Sequence, residues 1–152
     1  MSRRDAVRMS DEEIDSFLSE RHVMNVATMR GDGRIHLVAM WYGFVDDKPA
    51  FWTYGRSQKI ANLQRDPRIT CLVEDGEQYD ELRGVELSGA ARVVDDRDTV
   101  LAVGRSVYER YTAPYDESVL PQLEYAAAKR VAVVIDVENI TSWDHRKLGG
   151  TY

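Results

Sequence analysis

The segment at residues 51–63, FWTYGRSQKIANL, carries the strongest chemical signal in the sequence. It begins as a strand, turns at Arg56 and is predicted to enter a helix at Ser57. The start of a helix presents unpaired backbone N–H groups and the positive end of the helix dipole. Thr53 and Ser57 bring hydroxyl groups to this point. Arg56 and Lys59 bring positive charge, so the residue types predict an anion site that suits a phosphate.

A purely structural explanation of the same residues is equally compatible with their types. Serine is a preferred N-cap residue, so the Ser57 hydroxyl could bond only to the first turn of its own helix. Arg56 and Lys59 could be charges that point into water. The sequence alone therefore leaves an anion site and an ordinary helix start as alternatives.

Aromatic side chains are concentrated on two neighbouring predicted strands. Trp41, Tyr42 and Phe44 lie on the first strand, and Trp52 and Tyr54 lie on the next. Side chains of this kind could form a wall for a flat heteroaromatic ligand. The alternative is that they fill the core and a contact between subunits.

Several other kinds of reactive site are not supported by the sequence. No G-x-S-x-G motif is present, and Cys71 is predicted in the middle of a strand, where it packs in the core. No G-x-G-x-x-G motif begins a helix after a strand, which argues against a dinucleotide site of the Rossmann type. His22, His36 and His145 are widely separated, so no metal site is predicted, and His36 is expected at the surface or rim.

The composition is that of one globular domain, expected over residues 1–152, with 43% hydrophobic and 30% charged residues. The net charge of −6 argues against a nucleic-acid partner, because such binding depends on clustered Lys and Arg. The apolar run 131–135 is far too short for a membrane helix, and the first residues predict no targeting signal. A single cysteine is typical of a reducing compartment, so a cytoplasmic location is expected.

The elements that must position these residues are mostly strands. Strands are predicted at residues 22–29, 34–45, 50–54, 68–74, 84–94 and 131–137. Helices are predicted at residues 10–21, 57–65, 95–111 and 119–129, and a polar tail at residues 138–152. Hairpins join the first three strands, and several strands are apolar on both faces. The pattern predicts a mainly β, α+β fold: a six-stranded antiparallel split barrel with short flanking helices.

The segments 25–74 and 85–94 together resemble the flavin and deazaflavin split-barrel superfamily, the pyridoxamine 5′-phosphate oxidase-like proteins. Within it, the chain is most similar to small actinobacterial-type oxidoreductases that use the deazaflavin coenzyme F-420. The order of a strand, a D-G turn, two strands, an S-x-K helix, a D-P-R strand and an L-x-G-x-A strand carries the resemblance. The resemblance implies the FMN-binding split-barrel type of fold and a homodimer with two cofactor sites at the subunit interface.

The resemblance also implies where the cofactor lies. The ring is expected along the second and third strands, at Val38, Ala39, Met40, Trp41, Tyr42, Trp52 and Thr53. The phosphate is expected at Arg56, Ser57, Gln58, Lys59 and Asn62. The tail of the partner subunit is expected to close the site, with Trp143 as an apolar wall and Arg146 as a cation near the anionic chain of the cofactor.

Two departures from the family pattern refine the expected activity. Leu37 and Tyr42 stand where a basic residue is expected, and the chain ends in WDHRKLGGTY without the distinctive C-terminus of true pyridoxamine phosphate oxidases. We therefore expect hydride transfer from reduced F-420 to an unsaturated or quinone-like small molecule rather than vitamin B6 oxidation. Tyr42, Tyr54, His36 or solvent would supply a proton, and no catalytic residue is assigned. The alternatives are an FMN-dependent oxidase or reductase and a non-catalytic F-420- or flavin-binding module.

Overall fold

The computed structural model describes residues 2–20 and 22–150. The predicted N-terminal helix over residues 10–21 ends at Arg21, and the predicted tail ends at residues 151–152, so both ends lie outside the described residues. The helices are α1 (Arg3–Val7), α2 (Asp11–Ser19), α3 (Gln58–Arg65), α4 (Arg97–Tyr111) and α5 (Leu120–Ala127). The strands are β1 (Met24–Met29), β2 (Ile35–Met40), β3 (Gly43–Val45), β4 (Lys48–Tyr54), β5 (Arg68–Asp75), β6 (Arg83–Val94) and β7 (Arg130–Asp144).

All seven strands belong to one antiparallel sheet, in the order β2-β1-β5-β6-β7-β4-β3. Together with the short helices this gives a half-barrel, which confirms the predicted mainly β, α+β split-barrel class. The prediction of six strands is wrong by one, because the segment at residues 34–45 is two strands rather than one. β2 and β3 lie at opposite edges of the sheet.

The division of that segment is produced by helix α4. At the break, the backbone N–H of Tyr42 donates to Tyr111 Oη over 3.3 Å, and the N–H of Phe44 donates to Ser106 Oγ over 2.9 Å. These side chains replace strand partners that the backbone would otherwise need. The chain is therefore free to leave the β1 side of the sheet and pair with β4 on the other side.

Strand β7 is twice as long as expected. The prediction ended the strand at Val137 and began a polar tail at residue 138, but pairing with β6 continues through Asp144. An irregularity between Ser88 and Gly89 shifts the register and allows this long ladder to bend. The polar residues after Val137 belong to the exposed outer part of the strand, which is why their composition resembled a tail.

Two hydrophobic cores lie on opposite faces of the sheet. The larger one, inside the half-barrel, is formed by α2 and by inward residues such as Met24, Phe51 and Leu87. The smaller one lies between the sheet and α4 and includes Ala50 and Val103. The two cores show that β4 is buried on both of its faces. None of the described helices is long and apolar enough to cross a membrane.

Candidate functional site: a polar mouth of the half-barrel

Ser57 begins helix α3, but its side chain does not cap the helix. The residue has the extended backbone of an N-cap, yet its hydroxyl makes no bond to the first turn. Ser57 Oγ is buried and has no hydrogen-bond partner among the described residues. A buried hydroxyl without a partner costs free energy, and helix capping does not account for this one.

Lys59 places a buried cation in the first turn of the same helix. Its side chain is 9% exposed, and Nζ donates to Thr53 Oγ1 over 3.0 Å. No carboxylate forms an ion pair with it within residues 2–20 and 22–150. Burial lowers the pKa of this ammonium group, because water no longer stabilises its charge. The site therefore holds a hydroxyl without a partner and a cation without a counter-ion.

Asn62 and Gln58 complete the inward face of the helix, but Asn62 is occupied. Asn62 Nδ2 donates to Thr28 Oγ1 over 3.0 Å, and its Oδ1 accepts from Gln58 Nε2 over 2.8 Å. Arg65 donates to the same Oδ1 and to the Met29 carbonyl. Asn62 therefore ties α3 to β1, while Gln58 is exposed beside it. The expected contact of Asn62 with the phosphate stays a prediction.

His36 is connected to this helix through strand β1. It is paired with Thr28 across the β1–β2 ladder, and Thr28 is the residue to which Asn62 donates. His36 Nδ1 is buried without a partner among the described residues, and the ring as a whole is half-buried. Burial lowers the pKa of the imidazole, and the charges of Arg30 and Lys59 lower it further. His36 is therefore a neutral ring with an unused nitrogen near the buried cation.

A large groove lies behind the turn that precedes α3. Its volume is about 940 Å³. Its polar lining is Tyr54, Arg56, Asp95, Arg97, Lys129 and Arg130, and its apolar lining includes Val100, Ala127 and Val131. None of the four basic residues forms an ion pair in the described part of the chain, and Arg130 lies over the Tyr54 ring at 4.6 Å.

Of these four cations, only Arg56 was predicted from the sequence as part of an anion site. Arg130 reaches the groove because it is paired with Tyr54 in the β4–β7 ladder, and Arg97 reaches it from the start of α4. Residues that lie so far apart along the chain give no local pattern in the sequence.

The predicted aromatic wall does not exist as one surface. Tyr42 is fully buried, and its hydroxyl donates to the Leu18 carbonyl over 2.7 Å. Burial also raises the pKa of this phenol. Tyr42 is therefore a core residue, and its assignment as a ring-binding residue or proton donor is wrong because no open surface reaches its side chain.

The remaining aromatic residues point in different directions. Trp52 lies on the α4 side of β4, against Gly104, whereas Thr53 faces the interior of the half-barrel. Trp41 is half-exposed and stacks on Tyr111 with 4.6 Å between ring centroids. The alternation of side chains along β4 separates Trp52 from Thr53, so the two cannot face one ligand from the same side of the sheet.

The same alternation divides the expected ring-binding residues of β2. Val38 and Met40 turn inward and pack against the larger core. Ala39 faces outward and is exposed, in line with Leu37 and Ile35, which are each 66% exposed. The apolar stripe of Ile35, Leu37 and Ala39 is the outer face of an edge strand, and none of residues 2–20 and 22–150 covers it.

The C-terminal candidates lie against their own sheet. Trp143 covers Gly84, where a Cβ atom would lie 2.1 Å from the indole ring. Arg146 forms an ion pair with Asp144 over 2.6 Å. Thr28 on β1 aligns with Gly89 of β6 through the β5 ladder, whereas Trp143 pairs with Gly84 of β6. These two positions of β6 are five residues apart, which is about 17 Å along a strand. The single chain therefore does not bring Trp143 or Arg146 to the polar mouth.

The structure also brings together residues that the sequence left apart. Glu20, His22 and Asp75 offer ligand atoms within 4.8 Å of one another. Arg83 lies among them and donates to Glu20 and to Asp75, which offsets part of their negative charge. The positive charge of Arg83 leaves this group as an ion-pair network rather than a metal site.

Comparison with known proteins adds to this geometry. The family model described as pyridoxamine 5′-phosphate oxidase matches residues 10–144. The chain is 30% identical over 136 residues to the F-420H(2)-dependent biliverdin reductase of Mycobacterium tuberculosis, an alignment that covers 88% of this chain and 87% of the relative.

Two solved structures are also similar. A conserved hypothetical protein from Mycobacterium tuberculosis is 42% identical with a TM-score of 0.94, covering 100% of this chain and 95% of that chain. An F-420 reductase is 24% identical with a TM-score of 0.65, covering 83% of this chain and 94% of that chain. The latter likeness concerns the fold alone.

Proposed function

This chain belongs to the pyridoxamine 5′-phosphate oxidase family, and we propose that it is an oxidoreductase that uses coenzyme F-420 to reduce an unsaturated or quinone-like small molecule. One observation carries the proposal: the start of α3 holds both Ser57 Oγ, which is buried without a partner among the described residues, and Lys59, which is a buried cation without a counter-ion there. A phosphate oxygen at this point would accept a bond from Ser57 and balance the charge of Lys59.

The groove behind Arg56 supports F-420 over FMN. Both cofactors carry a phosphate, so the Ser57–Lys59 pair serves either. An anionic chain that continues beyond the phosphate would run into the groove, where Arg56, Arg97, Lys129 and Arg130 have no acidic partner in the described part of the chain. FMN ends at its phosphate and would leave these four cations without use.

The apolar stripe of Ile35, Leu37 and Ala39 supports a homodimer with the ring site at the interface. A second copy over this stripe would bury two large apolar side chains that are now mostly exposed to water. It would also bring the partner's C-terminal segment to a ring that lies along β2. Trp143 and Arg146 would then act in the other subunit's site, since their own mouth is out of reach.

When bound, F-420 supplies the hydride chemistry, and this chain supplies position and exclusion of water. Ser57 and Lys59 hold the phosphate, and the outer face of β2 orients the ring. Tyr42 is excluded as the proton donor by its bond to Leu18, which leaves Tyr54, His36 and solvent. The biliverdin reductase relative supports a reductase direction for the reaction.

Titration of the purified protein with F-420 and with FMN, side by side, tests the proposal. We expect saturable quenching of F-420 fluorescence at micromolar concentrations and weaker binding of FMN. A fourfold charge-neutral variant of the groove (R56Q/R97Q/K129Q/R130Q) should lose its preference for F-420 while retaining FMN affinity. Tighter binding of FMN by the native protein would replace F-420 with the flavin, and tight F-420 binding without turnover over a broad panel of acceptors would indicate a binding module.

A further inference from the structure

We infer that His36 is a proton-coupled binding residue, which takes up a proton from solvent when an oxyanion occupies the site at Ser57 and Lys59, and so binds that anion more tightly as the pH falls. The inference rests on the proposed anion site and adds a residue and a pH response to it.

The position of His36 is the first argument. The ring lies on the inner face of β2, beside Thr28, and Thr28 is held by Asn62 of α3. Asn62 is three residues after Lys59, so the two side chains occupy one face of the helix. His36 and the buried cation therefore both neighbour the Thr28–Asn62 bond, and the charge of Lys59 acts on the His36 ring.

The unused nitrogen is the second argument. His36 Nδ1 has almost no solvent contact and no partner among residues 2–20 and 22–150. Ser57 Oγ, at the start of the helix that carries Lys59, is in the same condition. Buried polar atoms without partners are rare in folded proteins, so an anion held by Ser57 and Lys59 would have a further bonding partner in His36 Nδ1.

The charges around His36 are the third argument. Arg30, at the end of β1, and Lys59, on α3, both disfavour a positive charge on the ring. Arg65 of α3 is directed to the Met29 carbonyl, and the Asp32–Arg34 pair lies in the hairpin before β2. The pKa of His36 is lowered by burial and by these two cations, and no carboxylate of the described residues counters them.

The direction of the pH response follows from these charges. Without an anion, the pKa of His36 lies below its ordinary value of 6.5, so the ring is neutral at pH 7. An oxyanion on Lys59 cancels the repulsion and favours the protonated ring, which then donates through Nδ1. Because coupling is reciprocal, each unit by which the anion raises the pKa of His36 strengthens anion binding about tenfold as the pH falls through that range.

Inorganic sulfate is the appropriate first probe, because it keeps its charge between pH 5 and 8 and leaves the protein as the source of any titration. We expect the NMR titration of the His36 ring to move to higher pH when sulfate is added to the native protein. Calorimetry in buffers of different ionisation enthalpy should show uptake of up to one proton for each sulfate bound. The dissociation constant should decrease by about tenfold or more from pH 8 to pH 5.5.

Matched variants distinguish His36 from the other histidines. His36→Gln should bind sulfate with an affinity that is nearly independent of pH and without proton uptake. His22→Gln and His145→Gln should retain the native pH response.

Sulfate binding to the native protein without proton uptake, or an unchanged pH response in His36→Gln, would overturn the inference while leaving the anion site in place. Absence of saturable sulfate binding would overturn the anion site and the inference together. The NMR titration uses the native chain, so it decides the question even if His36→Gln does not fold.

Discussion

Three serines, Ser2, Ser10 and Ser57, begin helices in the same backbone conformation, and the last two make different bonds. Ser10 Oγ accepts from the Glu13 N–H, and Glu13 Oε2 accepts from the Ser10 N–H, which is a complete capping box. Ser57 makes no such bond. The comparison separates a serine that stabilises its helix from one whose hydroxyl makes no cap bond, and it supplies a matched pair of variants.

We predict that Ser57→Ala weakens phosphate and F-420 binding several-fold while leaving the free energy of unfolding within about 0.5 kcal/mol of the native value, because no cap bond is lost. The control Ser10→Ala should lower the free energy of unfolding by about 1 kcal/mol without changing affinity. Urea unfolding and F-420 titration of both variants make the comparison. Equal destabilisation by the two substitutions would show that Ser57 is an ordinary cap.

Lys59→Met should separate binding from stability even more clearly. Loss of a charge-assisted contact costs about 1.5–3 kcal/mol, so F-420 affinity should fall roughly ten- to a hundredfold. Removal of a buried cation without a counter-ion should raise the free energy of unfolding at pH 7 by about 1 kcal/mol.

The pKa of Lys59 gives this prediction a pH signature. The folded-state pKa is lowered, so the folded chain binds fewer protons at this site than the unfolded chain. The gain from Lys59→Met should therefore shrink as the pH rises from the lowered pKa toward the unfolded value near 10.5. Lys48→Met, which removes an exposed partner of Asp136, serves as the surface control. Unchanged F-420 affinity in Lys59→Met would remove this residue from the site.

At the scale of elements, helix α4 holds together parts of the molecule that the sheet alone does not join. Ser106 and Tyr111 accept the backbone N–H groups at the break between β2 and β3. Arg110 donates to the Leu18, Ser19 and Glu20 carbonyls, which are the last ones of α2. A cation at the C-terminus of a helix satisfies carbonyls that have no partner within that helix.

We predict that Arg110→Leu lowers the free energy of unfolding by about 2–3 kcal/mol, because several charge-assisted bonds to α2 are lost at a half-buried position. Arg105→Leu, on the same helix, removes an exposed pair with Glu109 and should cost under about 0.5 kcal/mol. Thermal unfolding and hydrogen exchange of α2 measure both effects. Similar stability of the two variants would contradict the role assigned to Arg110.

At the scale of the whole molecule, the single chain leaves an apolar stripe on β2 without cover and its C-terminal segment away from the polar mouth. A second copy of the chain would cover the stripe and would supply a C-terminal segment to the site.

We predict that Leu37→Glu converts a dimer into a monomer at micromolar concentration and weakens F-420 binding, because a carboxylate cannot be buried in that contact without a partner. Tyr125→Glu, at an 88% exposed position on α5, is the control. Sedimentation of the native chain as a monomer that still binds F-420 would rule out the shared site.

Mixed dimers test whether each site draws on both chains. In a dimer of one Lys59→Met chain and one Arg146→Gln chain, a shared arrangement places both defects in one site and leaves the other site native. We therefore expect each mixed dimer to recover one tight F-420 site, although neither parent homodimer has any. Failure to recover tight sites after confirmed subunit exchange would show that Lys59 and Arg146 do not combine across the interface.

Short-range residue patterns in the sequence were sufficient to predict most strands, helix α3 and the antiparallel class of the sheet. Alternating apolar residues predicted most strands, the spacing of Ile60 and Leu63 with the D-P stop predicted α3, and the succession of hairpins predicted an antiparallel sheet. The phosphate-site candidates Ser57 and Lys59 also came from one short segment. These features depend on neighbours within a few residues, so the local sequence is sufficient to specify them.

Tertiary structure alone decided what those residues can do. The break at residues 41–42 depends on α4, the burial of Tyr42 depends on α2, and the cationic groove depends on the pairing of β4 with β7. The unused Ser57 hydroxyl and the position of His36 relative to Lys59 depend on how α3 packs against β1 and how β1 pairs with β2. Each is a contact between segments far apart along the chain, and such contacts are determined by strand register and helix packing rather than by any local pattern.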